Sequence, residues 1–157
     1  MQRVERKGDS LVTEIQPVPY KGDLFESKGV LRYSHRPEYG FRLVVDIDQG
    51  IVDYYRSTIP WWVKYNRQMY GAHISVVRHE IPVNMEEWGK YEGEEVDFLY
   101  SNHVNEGEVY LWLNAFCTRL EDIRVGLGLP VSSMYTLPPD GFTKAFHITV
   151  SNKKGHS

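Results

Sequence analysis

The chain has 157 residues, 41% of them hydrophobic and 25% charged, with a formal net charge of −3. That length fits one domain with enough apolar content for a core, and no apolar run approaches the roughly 20 residues that span a bilayer. The acidic balance argues against a grip on duplex nucleic acid, whose phosphate backbone calls for a basic surface; a small phosphate ligand in one local pocket is compatible with it.

Residues 1–28 mix polar and apolar positions, with Pro17, Pro19 and Gly22 interrupting any period, and are expected to form an N-terminal extension. The opening residues carry no apolar signal stretch. A single cysteine, Cys117, excludes an intrachain disulfide and suits a reducing cytoplasm. The main domain is expected over 29–152, with a polar tail at 153–157.

Gly29–Ser34 and Phe41–Asp48 read as strands, the second with Phe41, Leu43, Val45 and Ile47 on one side. From Gln49 the period changes: Ile51, Tyr54, Tyr55 and Thr58 fall at helical spacing, Asp48 is placed to cap the first turn, and Pro60 marks the end. Trp61–Tyr70 is expected to continue as a second helical piece. Ala72–Arg78 is β-branched and alternating, hence a strand. Glu94–Tyr100 and Glu108–Asn114 are expected to pair around a polar turn at Ser101–Gly107. A helix follows over Phe116–Leu127, ended by Gly126, Gly128 and Pro130. Pro138–Gly141 is a turn by composition, and Ala145–Val150 is the last strand. Strands joined by turns and mixed with helices predict an α+β domain.

Two of these strands carry nearly the same word. Ala72-His73-Ile74-Ser75-Val76 and Phe146-His147-Ile148-Thr149-Val150 both read apolar, His, Ile, hydroxyl, Val, 74 positions apart. Side chains two apart on a strand share a face, so each strand offers an imidazole and a hydroxyl together while its isoleucine turns the other way. Sixteen of the 157 residues are Ser or Thr, so one copy alone reads as an ordinary strand histidine beside a sheet hydroxyl. Two copies with matching flanks are far rarer by accident, and the duplication is what points to function.

Such a pair suits phosphodiester cleavage. That reaction removes a proton from the attacking oxygen and gives one to the leaving oxygen, and imidazole does either near neutrality. The hydroxyls would donate to the nonbridging oxygens, where charge must be held. The scheme uses no metal or other cofactor, and no H-x-x-x-H, C-x-x-C or Gly-rich phosphate loop is present in the sequence.

Twin H-x-[ST] words, each on a strand and most of a domain apart, resemble the 2H phosphoesterase superfamily over residues 29–152. The stretches Gly29–Ser34, Ala72–Arg78, Trp88–Gly93, Trp112–Phe116 and Pro139–Phe142 are most similar to the phage anti-CBASS nucleases of that superfamily. The resemblance implies a bilobal α+β fold: two pseudo-symmetric antiparallel sheet lobes, helices packed outside and a central cleft. It also implies metal-independent hydrolysis of cyclic oligonucleotide alarm signals inside an infected bacterial host. His73, Ser75, His147 and Thr149 are then the catalytic four, and Tyr33 a base-stacking residue.

Around these, Tyr110, Trp112 and Asn114 share one side of their strand and Leu111 and Leu113 the other, which makes Tyr110 and Trp112 candidates to stack on a base. Packing under a loop is an equal reading of Trp112. Arg78, Lys90 and Lys144 lie near the words, although such cations are more often solvated. Cys117 is expected to be a small core residue. The expected function is a phosphodiesterase acting on cyclic di- or trinucleotides, with no duplex nucleic acid and no membrane among its partners. Its rivals are an RNA 2′,3′-cyclic phosphate end-processing enzyme and a module that sequesters nucleotides uncut. Neither the acid and base roles of the histidines nor the oligomeric state follows from the sequence.

Overall fold

The computed structural model describes residues 22–60, 66–67, 71–131 and 145–152. Its strands are β1 (Leu24–Arg36), β2 (Gly40–Ile47), β3 (Asn66–Arg67), β4 (His73–Arg78), β5 (Glu95–Ser101), β6 (Asn105–Glu106), β7 (Tyr110–Phe116) and β8 (Phe146–Asn152). The helices are α1 (Gln49–Ser57), between β2 and β3, and α2 (Thr118–Gly126), between β7 and β8, with one 3-10 turn at Met85–Glu87. Every pairing is antiparallel. The described residues therefore form the mixed α+β, antiparallel architecture that the alternation predicts.

The sheet order is β3-β8-β4-β2-β1-β5-β7-β6, and β7 also pairs with β8. Six strands thus return on themselves through β8. The ring is narrow at two places. β4 meets β8 at one register pair, Ile74 with Ile148, and β5 meets β7 at Leu99–Phe116 and Tyr100–Ala115. Along the chain the same order of elements occurs twice: strand, strand, helix and strand as β1-β2-α1-β4, then as β5-β7-α2-β8, once the two-residue strands β3 and β6 are set aside.

One face of the sheet packs with the helices. Leu31, Leu43, Val45, Ile74, Phe98, Leu113 and Ile148, all fully buried, join Ile51 and Val52 of α1 and Leu120, Ile123 and Leu127 of α2 in one apolar core. At about 25 cal/mol per Å² of apolar surface, this burial is the main stabilising term. Asp48 caps α1 as expected, its Oδ1 accepting from the Gly50 amide at 2.9 Å. Gly128, at φ +83°, ends α2 in a conformation that disfavours any side chain. Gly29 serves close approach: a Cβ there would lie 2.6 Å from the Asp46 carbonyl oxygen.

Arg124 of α2 is fully buried. Its Nη1 donates to the Val76 carbonyl at 2.7 Å and to Glu80 Oε1 at 2.8 Å, Nη2 to Glu80 Oε2 at 2.7 Å, and Nε to the Pro130 carbonyl at 2.8 Å. This ties α2 to β4 one residue beyond Ser75.

Four elements differ from the sequence reading. β1 begins at Leu24, inside the segment expected as an extension, because residues 24–30 pair with β5, a long-range ladder that local alternation does not reveal. Asn66–Arg67 is a short strand beside β8 rather than part of a helix. Phe116 ends β7, so α2 starts two residues later. The polar turn expected at Ser101–Gly107 contains β6, which folds back on β7. The turn at Pro138–Gly141, Lys144, residues 1–21 and the tail 153–157 lie outside the described residues, as does the rest of Trp61–Tyr70. No helix among the described residues is long and apolar enough to cross a membrane.

Candidate active site

Ile74 and Ile148 are register partners, and both side chains are fully buried in the core. Alternation turns the residue on either side of each isoleucine to the opposite face. Because β4 and β8 run antiparallel, one step from the isoleucine pair brings His73 across from Thr149 and Ser75 across from His147. Directly opposed Cβ atoms lie about 4.5–5.5 Å apart and diagonal neighbours about 7–8 Å. The two imidazoles thus occupy one diagonal of a four-residue patch and the two hydroxyls the other. All four side chains are half-buried, so the patch meets solvent.

The outer neighbours repeat the pattern. On β2, Asp46 pairs with His73 and Val44 with Ser75; on β7, Asn114 pairs with His147 and Trp112 with Thr149. A register shift follows each word at its final valine. Leu43–Val77 is succeeded by Val44–Ser75, which leaves Val76 extra, and Leu111–Ser151 by Trp112–Thr149, which leaves Val150 extra. Such bulges bend a strand locally and re-aim its side chains.

The histidines differ in surroundings. His73 Nδ1 lies 2.7 Å from the Gly71 carbonyl oxygen. A carbonyl only accepts, so Nδ1 carries the hydrogen and Nε2 is the atom offered to a ligand. Burial holds the His73 pKa below its ordinary value, while the Gly71 carbonyl and Asp46 oppose that shift and Arg42 adds to it. Asp46 is itself clamped by Arg32, Nε to Oδ2 at 2.7 Å and Nη2 to Oδ1 at 2.9 Å, which lowers its pKa.

His147 lies under the Trp112 indole, the ring centroids 4.9 Å apart and the planes 29° from parallel. Burial pushes its pKa down to about 4, and its buried Nε2 has no hydrogen-bond partner. Trp112 is 7% exposed, and its Nε1 donates to Asn114 Oδ1 at 3.1 Å. Gly107 lies over that ring: a Cβ there would be 3.0 Å from Cζ3. Trp112 is therefore packed between a loop and His147, with little surface left for a base. Tyr110 is half-buried on the same side of β7, two residues along.

Tyr33 is not brought to this patch. It pairs with Leu43 on the helix-packed side, its ring meets Trp88 edge to face at 4.9 Å, and burial of its hydroxyl raises its pKa. Lys90 sits in an exposed turn beside Glu87. Cys117 is buried, its Sγ 3.3 Å from the Asp97 carbonyl oxygen, and burial pushes the thiol up to about 11, as a core residue requires. Among the described residues, no group of three or more His, Cys, Asp or Glu is placed to hold a metal ion.

Asp46, Arg32 and Arg42 escaped the sequence reading. Their alternation along β1 and β2 is visible in the sequence, but the adjacency of β2 to β4 that brings them beside His73 is not. Compared with known protein families, curated proteins and solved structures, the chain matches none.

Proposed function

We propose that the chain is a metal-independent phosphodiesterase of the two-histidine kind, acting on cyclic di- or trinucleotide messengers. The observation that carries this reading is the Ile74–Ile148 pair, which gathers two imidazoles and two hydroxyls from distant parts of the chain onto one accessible patch. The repeated strand-strand-helix-strand order supports its finer part, a pseudo-symmetric two-lobed fold with the patch where the halves meet. The substrate class, and with it a role in viral evasion of bacterial defence, rests on the resemblance to the phage anti-CBASS nucleases.

The unequal surroundings support one assignment of the roles. His147, neutral and with an unpartnered Nε2, is the base; His73, beside Asp46 and donating Nδ1–H to Gly71, is the better-supported imidazolium and so the acid. In the first step the His147 imidazole takes the proton of the ribose 2′-hydroxyl, the O2′–P bond forms, the P–O5′ bond breaks, and His73 gives its proton to O5′. Ser75 and Thr149 donate to the nonbridging oxygens, and the product is a 2′,3′-cyclic phosphate. In the second step His73 takes a proton from water as its oxygen attacks phosphorus, the P–O2′ bond breaks, and His147 returns its proton to O2′. Each histidine then regains its starting state.

The test is to incubate the parent, His73→Ala and His147→Ala with cyclic dinucleotides, cyclic trinucleotides and RNA bearing 2′,3′-cyclic ends, all in EDTA, and to separate the products by chromatography. The parent is expected to open the rings, with each variant slower by about 10²-fold or more. Ring ligands left intact by the parent overturn the reading.

A further inference from the structure

Asn114 of β7 is the register partner of His147 and shares its face of the sheet. It is 9% exposed, and its amide is held one way round: Oδ1 accepts the Trp112 Nε1–H at 3.1 Å. An indole nitrogen only donates, so the oxygen faces Trp112 and the NH2 faces away from it. Among the described residues no acceptor engages Nδ2. Nor is Nδ2 sealed, since the fully buried side-chain polar atoms without a partner are there Tyr33 Oη, Arg56 Nε and His147 Nε2. The NH2 is therefore the open end of a buried side chain. Unpaired donors on such a group are costly, and the bond to Trp112 does not call for them. An aspartate would accept from the indole equally well, and the corresponding place beside His73 does hold one, Asp46, with both oxygens engaged by Arg32. What the amide adds beside His147 is a pair of donors.

Across the sheet one row reads Asn114, His147, Ser75 and Val44, from β7, β8, β4 and β2. Neighbouring strands lie about 4.7–4.9 Å apart. A phosphoryl group gathered by the twin words sits between β8 and β4, hence about 7 Å from β7. Asn114 stands on the far side of His147 from it, next to the group whose proton His147 takes.

We propose that Asn114 is a further catalytic residue, whose Nδ2–H donates to the ribose O2′. With its oxygen accepting from the amide, the hydroxyl has its one proton aimed at the His147 imidazole. The proton passes to His147 as the O2′–P bond forms, and returns as the P–O2′ bond breaks; in both steps the same N–H holds the charge on O2′. This rests on the phosphodiesterase reading above and adds to it the residue that reads the 2′-hydroxyl.

The test follows the Asn114 side-chain NH2 resonances by proton–nitrogen NMR on the full chain, assigned by their loss in Asn114→Asp. Adenosine 3′-monophosphate or 2′-deoxyadenosine 3′-monophosphate is added; neither is a phosphodiester, so neither is turned over. The ribonucleotide is expected to move an NH2 proton downfield where the deoxy ligand does not. By calorimetry it is expected to bind about fivefold tighter, and Asn114→Ala to bring that ratio towards one. Asn114→Asp keeps an oxygen for Trp112 and loses the donors. It is expected to open 3′,5′-linked cyclic diadenylate about 10²-fold more slowly than the parent, a loss that a merely structural bond to Trp112 would not produce. NH2 signals that respond alike to both ligands, or to neither, overturn the assignment, as does an Asn114→Asp variant as fast as the parent. The two ideas fail separately. A ribose-dependent amide shift in a chain that opens no ring keeps the Asn114 contact and overturns the enzyme; ring opening with an indifferent amide does the reverse.

Discussion

Asp46 lies directly across the β2–β4 ladder from His73, and the equivalent place beside His147 is taken by Asn114. One imidazole has a carboxylate for a neighbour and the other an amide, although the two words around them are nearly identical. This breaks the symmetry of the chemistry. With His147 as base, kcat/KM falls on the acid side as His147 takes a proton near pH 4, and on the alkaline side as His73 loses its own below pH 6.5. Asp46→Asn removes a charge that favours the His73 imidazolium and leaves Arg32 and Arg42 nearby. The alkaline limb is therefore expected to move to lower pH, and a pH–rate profile measures it.

Ser75 and Thr149 are expected to act as phosphate donors. Ser75→Ala and Thr149→Val should each lower kcat by about 10²-fold, the usual cost of one lost oxyanion donor, while Thr149→Ser keeps most activity. Because the four groups act as one unit, combining either substitution with His73→Ala should cost less than the product of the separate losses. Steady-state kinetics on one cyclic dinucleotide checks both points.

Trp112 covers one face of the His147 ring. Trp112→Ala is expected to raise the His147 pKa from about 4 toward 6.5, since burial is what lowers it. Trp112→Phe keeps a ring over the imidazole but deletes the Nε1–H bond to Asn114, so it should move the pKa less. Proton NMR titration of the histidine ring resonances distinguishes the two.

Arg124 is expected to contribute to stability rather than to catalysis. Arg124→Met leaves the Glu80 carboxylate, whose side chain is 18% exposed, without its guanidinium, and removes the donors of the Val76 and Pro130 carbonyls. Breaking such a pair costs about 3 kcal/mol or more, to be read from urea unfolding.

Much of the candidate site was legible in the sequence because its signal is local. A strand of period two fixes which face His73 and Ser75 share, and the isoleucine between them names the core side. The same alternation placed Trp112 and Asn114 together. Tyr33 lies on the core side with Leu31 in the structure; the expectation that it stacks on a base came from resemblance alone. Whatever depends on which strands are neighbours was not legible. The Asp46–His73 pair, the bulges at Val76 and Val150, and the start of β1 at Leu24 all come from ladders between residues far apart in the chain. Trp112 met its packing reading for a similar reason, since the loop over its ring is ordered by β6.

The central claim is that both imidazoles touch one phosphoryl group. The most direct measurement follows the Nε2 resonances of His73 and His147 by nitrogen-15 NMR while a nonhydrolysable phosphorothioate cyclic dinucleotide is added. The account predicts that both shift together, with one midpoint and one ligand per chain. A shift confined to one histidine, or two shifts with separate midpoints, would contradict it.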